Sequence, residues 1–152
     1  MSSNYKSLGI RPVINANATL TKLGGSLMPS EVRQAMQDAA QSFVDMHDLQ
    51  QEVGTRLAEI TRNEAAFVSC GAATGLLLAT AACITKASGV TYEDFPNPPG
   101  TQNEVIVQRM HRNPYDYAVQ QAGASLVEIG TMDGTSLEDL ENAYSASTVA
   151  IF

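Results

Sequence analysis

The stretch Ser69-Cys70-Gly71-Ala72-Ala73-Thr74-Gly75 has the residue types of an anion cradle. It stands between a short run, Glu64 to Ser69, and an alanine- and leucine-rich segment, Ala72 to Thr85. That order predicts a strand turning into a helix. Small side chains at such a turn let the backbone approach a ligand closely. The free amides of the first helical turn and the helix dipole then favour a phosphate. Ser69 or Thr74 can add a hydroxyl donor. The same residues also suit a plain tight β–α turn, with small side chains chosen for packing. The stretch is neither G-x-G-x-x-G nor a P-loop, so a dinucleotide site or a nucleoside triphosphatase gains little support.

A second block, Arg109-Met110-His111-Arg112-Asn113-Pro114-Tyr115, follows the apolar run Glu104 to Gln108. Ligands of open α/β sheets bind beyond the carboxyl ends of strands. Two arginines, a histidine and a tyrosine placed there offer anion donors and a flat ring. The bland alternative is a solvated loop with Pro114 opening a helix. A third group, Asn15, Thr19, Thr21, Gly24 and Gly25, forms a polar, glycine-bearing arm. Such an arm can line a pocket or reach a partner subunit, although an ordinary surface loop has the same composition. Cys70, near a predicted helix N-terminus, could be a nucleophile with His111 as base. Cysteine is also a common small buried residue. With two histidines and no C-x-x-C or H-x-x-x-H, no metal site is expected.

The elements that would position these groups follow from periodicity. Residues 1–28 read as an irregular arm. Pro29-Ser30 opens a helix whose stripe is Val32, Ala35, Met36, Ala39 and Phe43. A second helix is predicted over 48–62, with Gly54 inside it at a cost of about 1 kcal/mol against alanine. Strands are predicted at Glu64–Ser69, Glu104–Gln108, Ser125–Ile129 and from Thr148 onward. Helices are predicted from Ala72 to Thr85, over 114–122 starting at Pro114, and to about 144. The last opens on the capping-box pattern Thr135-Ser136-Leu137-Glu138. Residues 87–103, with three prolines and two glycines, read as a long loop. This alternation predicts an α/β fold with a mostly parallel sheet and flanking helices. The sequence stops at Ile151-Phe152, inside an apolar strand, so a truncated chain is expected.

Composition bounds the partners. The chain has 152 residues, 44% of them hydrophobic and 16% charged, as in an ordinary globular domain. Its net charge is -7, its nine Lys and Arg are dispersed, and no basic stripe favours nucleic acid. Two cysteines make no disulfide framework, and the N-terminus shows no apolar signal region. A cytoplasmic protein without a membrane partner is the expectation.

Three blocks in order carry a resemblance: RPVINANATLTKLGGSLMP (11–29), VSCGAATGLLLATAACIT (68–85) and EVIVQRMHRNPYDYAVQQAGASLVEIG (104–130). They resemble the selenocysteine-synthase-like enzymes that use pyridoxal 5'-phosphate (PLP), in the branch of the D-glucosaminate-6-phosphate ammonia-lyases. The resemblance implies the large domain of the aspartate-aminotransferase-like fold (fold type I). It divides the chain into an arm (1–28), N-terminal helices (29–62) and the first part of a PLP-binding domain (63–152). It implies a cofactor phosphate on Ser69, Gly71, Ala72 and Ala73, and His111 against the pyridine ring. Asn15, Thr19, Thr21, Gly25, Arg109 and Arg112 would lie toward the substrate, an amino acid or amino sugar acid. It also implies a homo-oligomer. The family's Schiff-base lysine and pyridine-nitrogen aspartate have no match here. Lys6, Lys22 and Lys86 do not occupy the lysine position, and Asp133 and Asp139 fall in the wrong element. The expected activity is loss of ammonia and water from an amino sugar acid, with this chain inactive by itself. Selenium transfer to seryl-tRNA and a non-catalytic phosphate-binding or dimerising module are the alternatives. A Rossmann-like nucleotide binder ranks last, since Glu93 and Asp94 fall in a loop.

Overall fold

The structure, a computed structural model, describes residues 5–100 and 102–152. Its contacts divide into two units, residues 1–49 and 50–152.

The first unit holds two short 3-10 turns, Tyr5–Leu8 and Thr21–Leu23, and helix α1, Ser30–Ala39, which begins just after Pro29. The predicted apolar stripe of α1 is present but buries nothing among the described residues. Val32 is 46% and Met36 56% exposed, and Phe43 beyond the helix is fully exposed. Helix α2, Met46–Thr61, runs across the boundary between the units.

In the second unit, the cost assigned to Gly54 has a reason. A Cβ built there would stand 2.5 Å from the carbonyl oxygen of Ala66. Only glycine lets α2 lie this close to the segment that follows it. The Gln50 side-chain amide donates to the carbonyl of Val68 (3.2 Å) and fastens the same segment. Glu64–Ser69 is therefore held against α2 and is not the strand predicted for it. A strand is defined by a paired neighbour, and here the neighbour is a helix.

Helix α3, Ala72–Ser88, follows. Strand β1 is Glu104–Gln108, helix α4 is Asp116–Gln121, and strand β2 is Ser125–Ile129. Helix α5, Leu137–Ala143, and strand β3, Thr148–Ile151, complete the unit. The three strands agree with their predicted ranges. Helix α4 starts two residues after Pro114, because the Asn113 side chain first forms a turn by accepting from the amide of Tyr115 (2.9 Å). Helix α5 is capped one residue later than predicted. Ser136 Oγ accepts from the Asp139 amide (3.1 Å), and Asp139 Oδ2 accepts from the amide (2.8 Å) and hydroxyl (2.7 Å) of Ser136. Thr135 and Glu138 are left out of the box. Thr135 Oγ1 is instead buried with no hydrogen-bond partner among the described residues.

The sheet is parallel in the order β2-β1-β3. β1 lies in the middle, pairing Glu104 with Ser125 on one side and with Thr148 on the other. Covered on both faces, it buries Val105, Ile106 and Val107 and reads as a continuous β-branched run. Ile84 of α3, Val119 of α4 and Ala124 join Val105 and Val107 in the core cluster. Each buried valine or isoleucine side chain contributes about 1.5–3 kcal/mol through burial. Among the described residues, no helix is long and apolar enough to cross a membrane.

Candidate functional site

The turn into α3 is open. Gly71 carries φ 141° and ψ 169°, and no side chain caps the helix. The first intrahelical bond runs from the Gly75 amide to the Gly71 carbonyl (3.0 Å). The amides of Ala72, Ala73 and Thr74 meet no acceptor among the described residues, as expected of an uncapped first turn. Gly71, Ala72 and Ala73 are exposed, and a Cβ built on Gly71 meets nothing within 4 Å. The bend is thus not packed shut. Its side chains bond locally: Ser69 Oγ donates to the Gly71 carbonyl (3.0 Å), and Cys70 Sγ lies 3.3 Å from Thr74 Oγ1. Cys70 therefore pairs within its own turn and not with His111 as the nucleophile reading required.

Leu76, one turn further along α3, lines a cavity of about 160 Å³ together with Gln108, His111, Asn113, Tyr115 and Phe152. Gln108 ends β1 and Phe152 follows β3. The start of α3 and the His111 segment are thus brought to the carboxyl edge of the strands, where α/β sheets bind ligands. His111 closes a 3-10 turn, Arg109–His111, directly after β1.

Both arginines of that segment are already engaged. Arg109 Nε donates to Glu128 Oε1 and Arg112 Nη1 to Glu128 Oε2, each at 2.6 Å. Arg112 Nε also meets Asp116 Oδ2 at 2.5 Å. The Arg109 hydrogen bond, with that of Arg112, holds the Glu128 carboxyl below its ordinary range. The bond to Asp116, then that to Glu128, raises the Arg112 guanidinium. Two cations face two carboxylates, so this corner of the sheet is locally neutral. Asn113 adds a strap, its Nδ2 donating to the His111 carbonyl (3.0 Å).

The arm lies in the first unit. Asn15 Nδ2 donates to the Ala18 carbonyl and its Oδ1 accepts from the Asn17 amide, both at 2.8 Å. Asn15 thereby shapes its own turn, in which Ala18 has φ 42°. Thr19 and Thr21 are exposed, and Gly24 and Gly25 take φ 89° and 74°. Among the described residues no three acidic, histidine or cysteine side chains gather as metal ligands.

Glu128 and Asn113 were not singled out from the sequence as site residues. Glu128 occupies an ordinary polar position of a strand, 19 residues from Arg109. Only the parallel pairing of Val107 with Glu128 brings it near. Asn113 stood inside the quoted block, and its place before a proline was the available signal.

No protein-family model matches the chain. It is 36% identical to a 5'-C-glycyluridine monooxygenase-decarboxylase of a Streptomyces species, over 97% of its own length and 38% of that protein's. It is 32% identical to the D-glucosaminate-6-phosphate ammonia lyase of Salmonella typhimurium, over 97% of this chain and 41% of the relative. The L-seryl-tRNA(Sec) selenium transferase of Alkaliphilus oremlandii is 28% identical over 97% of this chain and 32% of its own. A solved structure of D-glucosaminate-6-phosphate ammonia-lyase aligns with a TM-score of 0.91 at 32% identity, covering 99% of this chain and 42% of that one. The chain thus spans about two fifths of the length of the first two of these relatives and of the solved structure. The resemblance read from the three sequence blocks holds, and so does the α/β fold with a parallel sheet and flanking helices.

Proposed function

We propose that the chain contributes the cofactor-phosphate turn of a PLP-dependent lyase that removes ammonia and water from an amino sugar acid such as D-glucosaminate-6-phosphate. One observation carries this reading: an uncapped helix start with three unpaired amides, one turn from a cavity shared with His111. The residues present fit the cofactor's phosphate. Gly71 opens the turn, the amides of Ala72, Ala73 and Thr74 donate, and no acidic side chain stands within the 69–75 stretch. His111 supplies a flat ring for the pyridine face. When bound, PLP draws electrons from the substrate's α-carbon and acidifies its proton. The chain's own residues bind and orient. Asp139 is committed to the cap of α5, which agrees with denying it the pyridine nitrogen. Lys6, Lys22 and Lys86 have no assigned role, so residues 1–152 alone are expected to be inactive. A homo-oligomer in the cytoplasm, with a small-molecule substrate, is part of the same proposal.

The 36% identity to the glycyluridine enzyme favours a second reading. The same turn and ring would then serve oxidation and decarboxylation of an amino-acid-bearing nucleoside. The complete product of the coding sequence decides between them. Keto acid from D-glucosaminate-6-phosphate supports the lyase. No keto acid, with oxygen uptake and carbon dioxide release from 5'-C-glycyluridine, supports the second. Borohydride reduction of residues 1–152 with PLP should trap no unique lysine adduct, and one stoichiometric adduct would overturn the inactivity.

A further inference from the structure

We propose that Glu128 is a positioning residue for His111; its purpose, though not its geometry, rests on the PLP reading above. Arg109 and Arg112 bracket Met110 and His111 in sequence. Their guanidinium groups converge on the two oxygens of one carboxylate, Oε1 and Oε2, at 2.6 Å each. Glu128 lies on the neighbouring strand, opposite Val107, a residue only 5% exposed. The side chains on either side of the Met110-His111 pair are therefore tied to one carboxylate of the sheet. Asp116 Oδ2 accepts from Arg112 Nε at 2.5 Å and also from the Asn113 amide at 3.2 Å. Asn113 in turn holds the His111 carbonyl at 3.0 Å.

A ring that packs on a cofactor must be held in place, and a turn after a strand is otherwise among the more mobile parts of a fold. Paired charge-assisted hydrogen bonds from planar guanidiniums set direction as well as distance. Glu128 thus does for His111 what Ser136 and Asp139 do for α5, but across strands. The two arginines serve as its arms, and an anionic substrate group that took hold of them would have to displace Glu128.

The test uses the full chain carrying His47→Gln, so that His111 is its one histidine. Nuclear relaxation reads backbone order at Met110, His111 and Arg112, with Val105 to Val107 as reference. A shift of the His111 ring signal on adding PLP reads the stacking, and inorganic phosphate reads the amides of Ala72 and Ala73. In Glu128→Gln, order at residues 110–112 should fall from about 0.85 to below about 0.6 while β1 keeps its value. The PLP-induced shift of His111 should be lost, and the phosphate response of Ala72 and Ala73 should persist. Arg109→Gln, at an exposed side chain, should reproduce the effect in part and guards against a misfolded Glu128 variant. Unchanged order at residues 110–112 in both variants would overturn the proposal. Lost order with no PLP-induced shift even in the parent would remove the cofactor reading and leave Glu128 as the fastening of His111.

Discussion

Gly71→Ala isolates the geometry on which the cofactor reading depends. With φ 141° and ψ 169°, Gly71 sits in a backbone region that is essentially restricted to glycine. A Cβ there meets nothing within 4 Å, so the substitution meets no neighbour and its cost is conformational. Forcing alanine into such a region costs about 1–3 kcal/mol. Alanine also has less freedom in the unfolded chain, which returns about 0.4–1 kcal/mol. The net expectation is a loss of about 1–2 kcal/mol, or a turn that rotates to escape the strain and misaims the amides of Ala72 and Ala73. Gly89→Ala is the control. It caps the other end of α3 at φ 66°, again with open space around its Cβ, and should cost about 1–2 kcal/mol for the left-handed conformation. Urea unfolding followed by circular dichroism reads both costs. Amide shifts on titration with inorganic phosphate and with PLP read the turn. Similar destabilisation is expected in the two variants, with anion binding lost in Gly71→Ala alone. A Gly71→Ala protein that binds PLP and phosphate like the parent would refute the reasoning, because the bend would then not need this backbone.

Three further outcomes are expected. Ser136→Ala should destabilise by about 1 kcal/mol through loss of the cap. Thr135→Val removes a buried hydroxyl that has no partner and should be neutral or stabilising by about 1 kcal/mol in thermal unfolding; the reverse order would return the cap to Thr135. Stability should also fall with acid. Glu128 is held low by Arg109, and Asp139 by the Ser136 amide, so both titrate lower folded than unfolded. Their contribution is present above the unfolded carboxylate range and is lost as pH falls below that range through the folded values. Urea midpoints measured down through that range should drop, and Glu128→Gln should flatten the drop.

Much of the fold could be read from local pattern. β1, β2 and β3 are short apolar runs bounded by turn residues, and their ranges follow from that alone. The segment Glu64–Ser69 has similar composition but no strand beside it, and composition does not reveal a neighbour. The cap of α5 slipped by one because Thr135 with Glu138 and Ser136 with Asp139 both satisfy the same spacing rule. Which pair closes depends on the glycine turn between β2 and α5, where a Cβ on Gly130 would meet Thr135 Oγ1 at 2.3 Å. Gly54 read as a weak point because helix propensity counts only the helix. Its reason is the Ala66 carbonyl twelve positions later. Of the candidate site, the bend and the His111 turn were legible because small residues and strand ends are local signals. Glu128 was not, since its partners lie on another strand and only the register joins them.

The order β2-β1-β3 bears on how the chain is made. Among the described strands β1 is the earliest to leave the ribosome, yet it is the one with a neighbour on both sides. Its run Val105-Ile106-Val107 gains one edge when Ser125–Ile129 has been synthesised and the other only when Thr148–Ile151 follows. During that interval this apolar strand has an unpaired edge while translation continues. Slowing elongation after β1 has cleared the ribosome and before β3 has should therefore lower the soluble yield more than slowing it before codon 104.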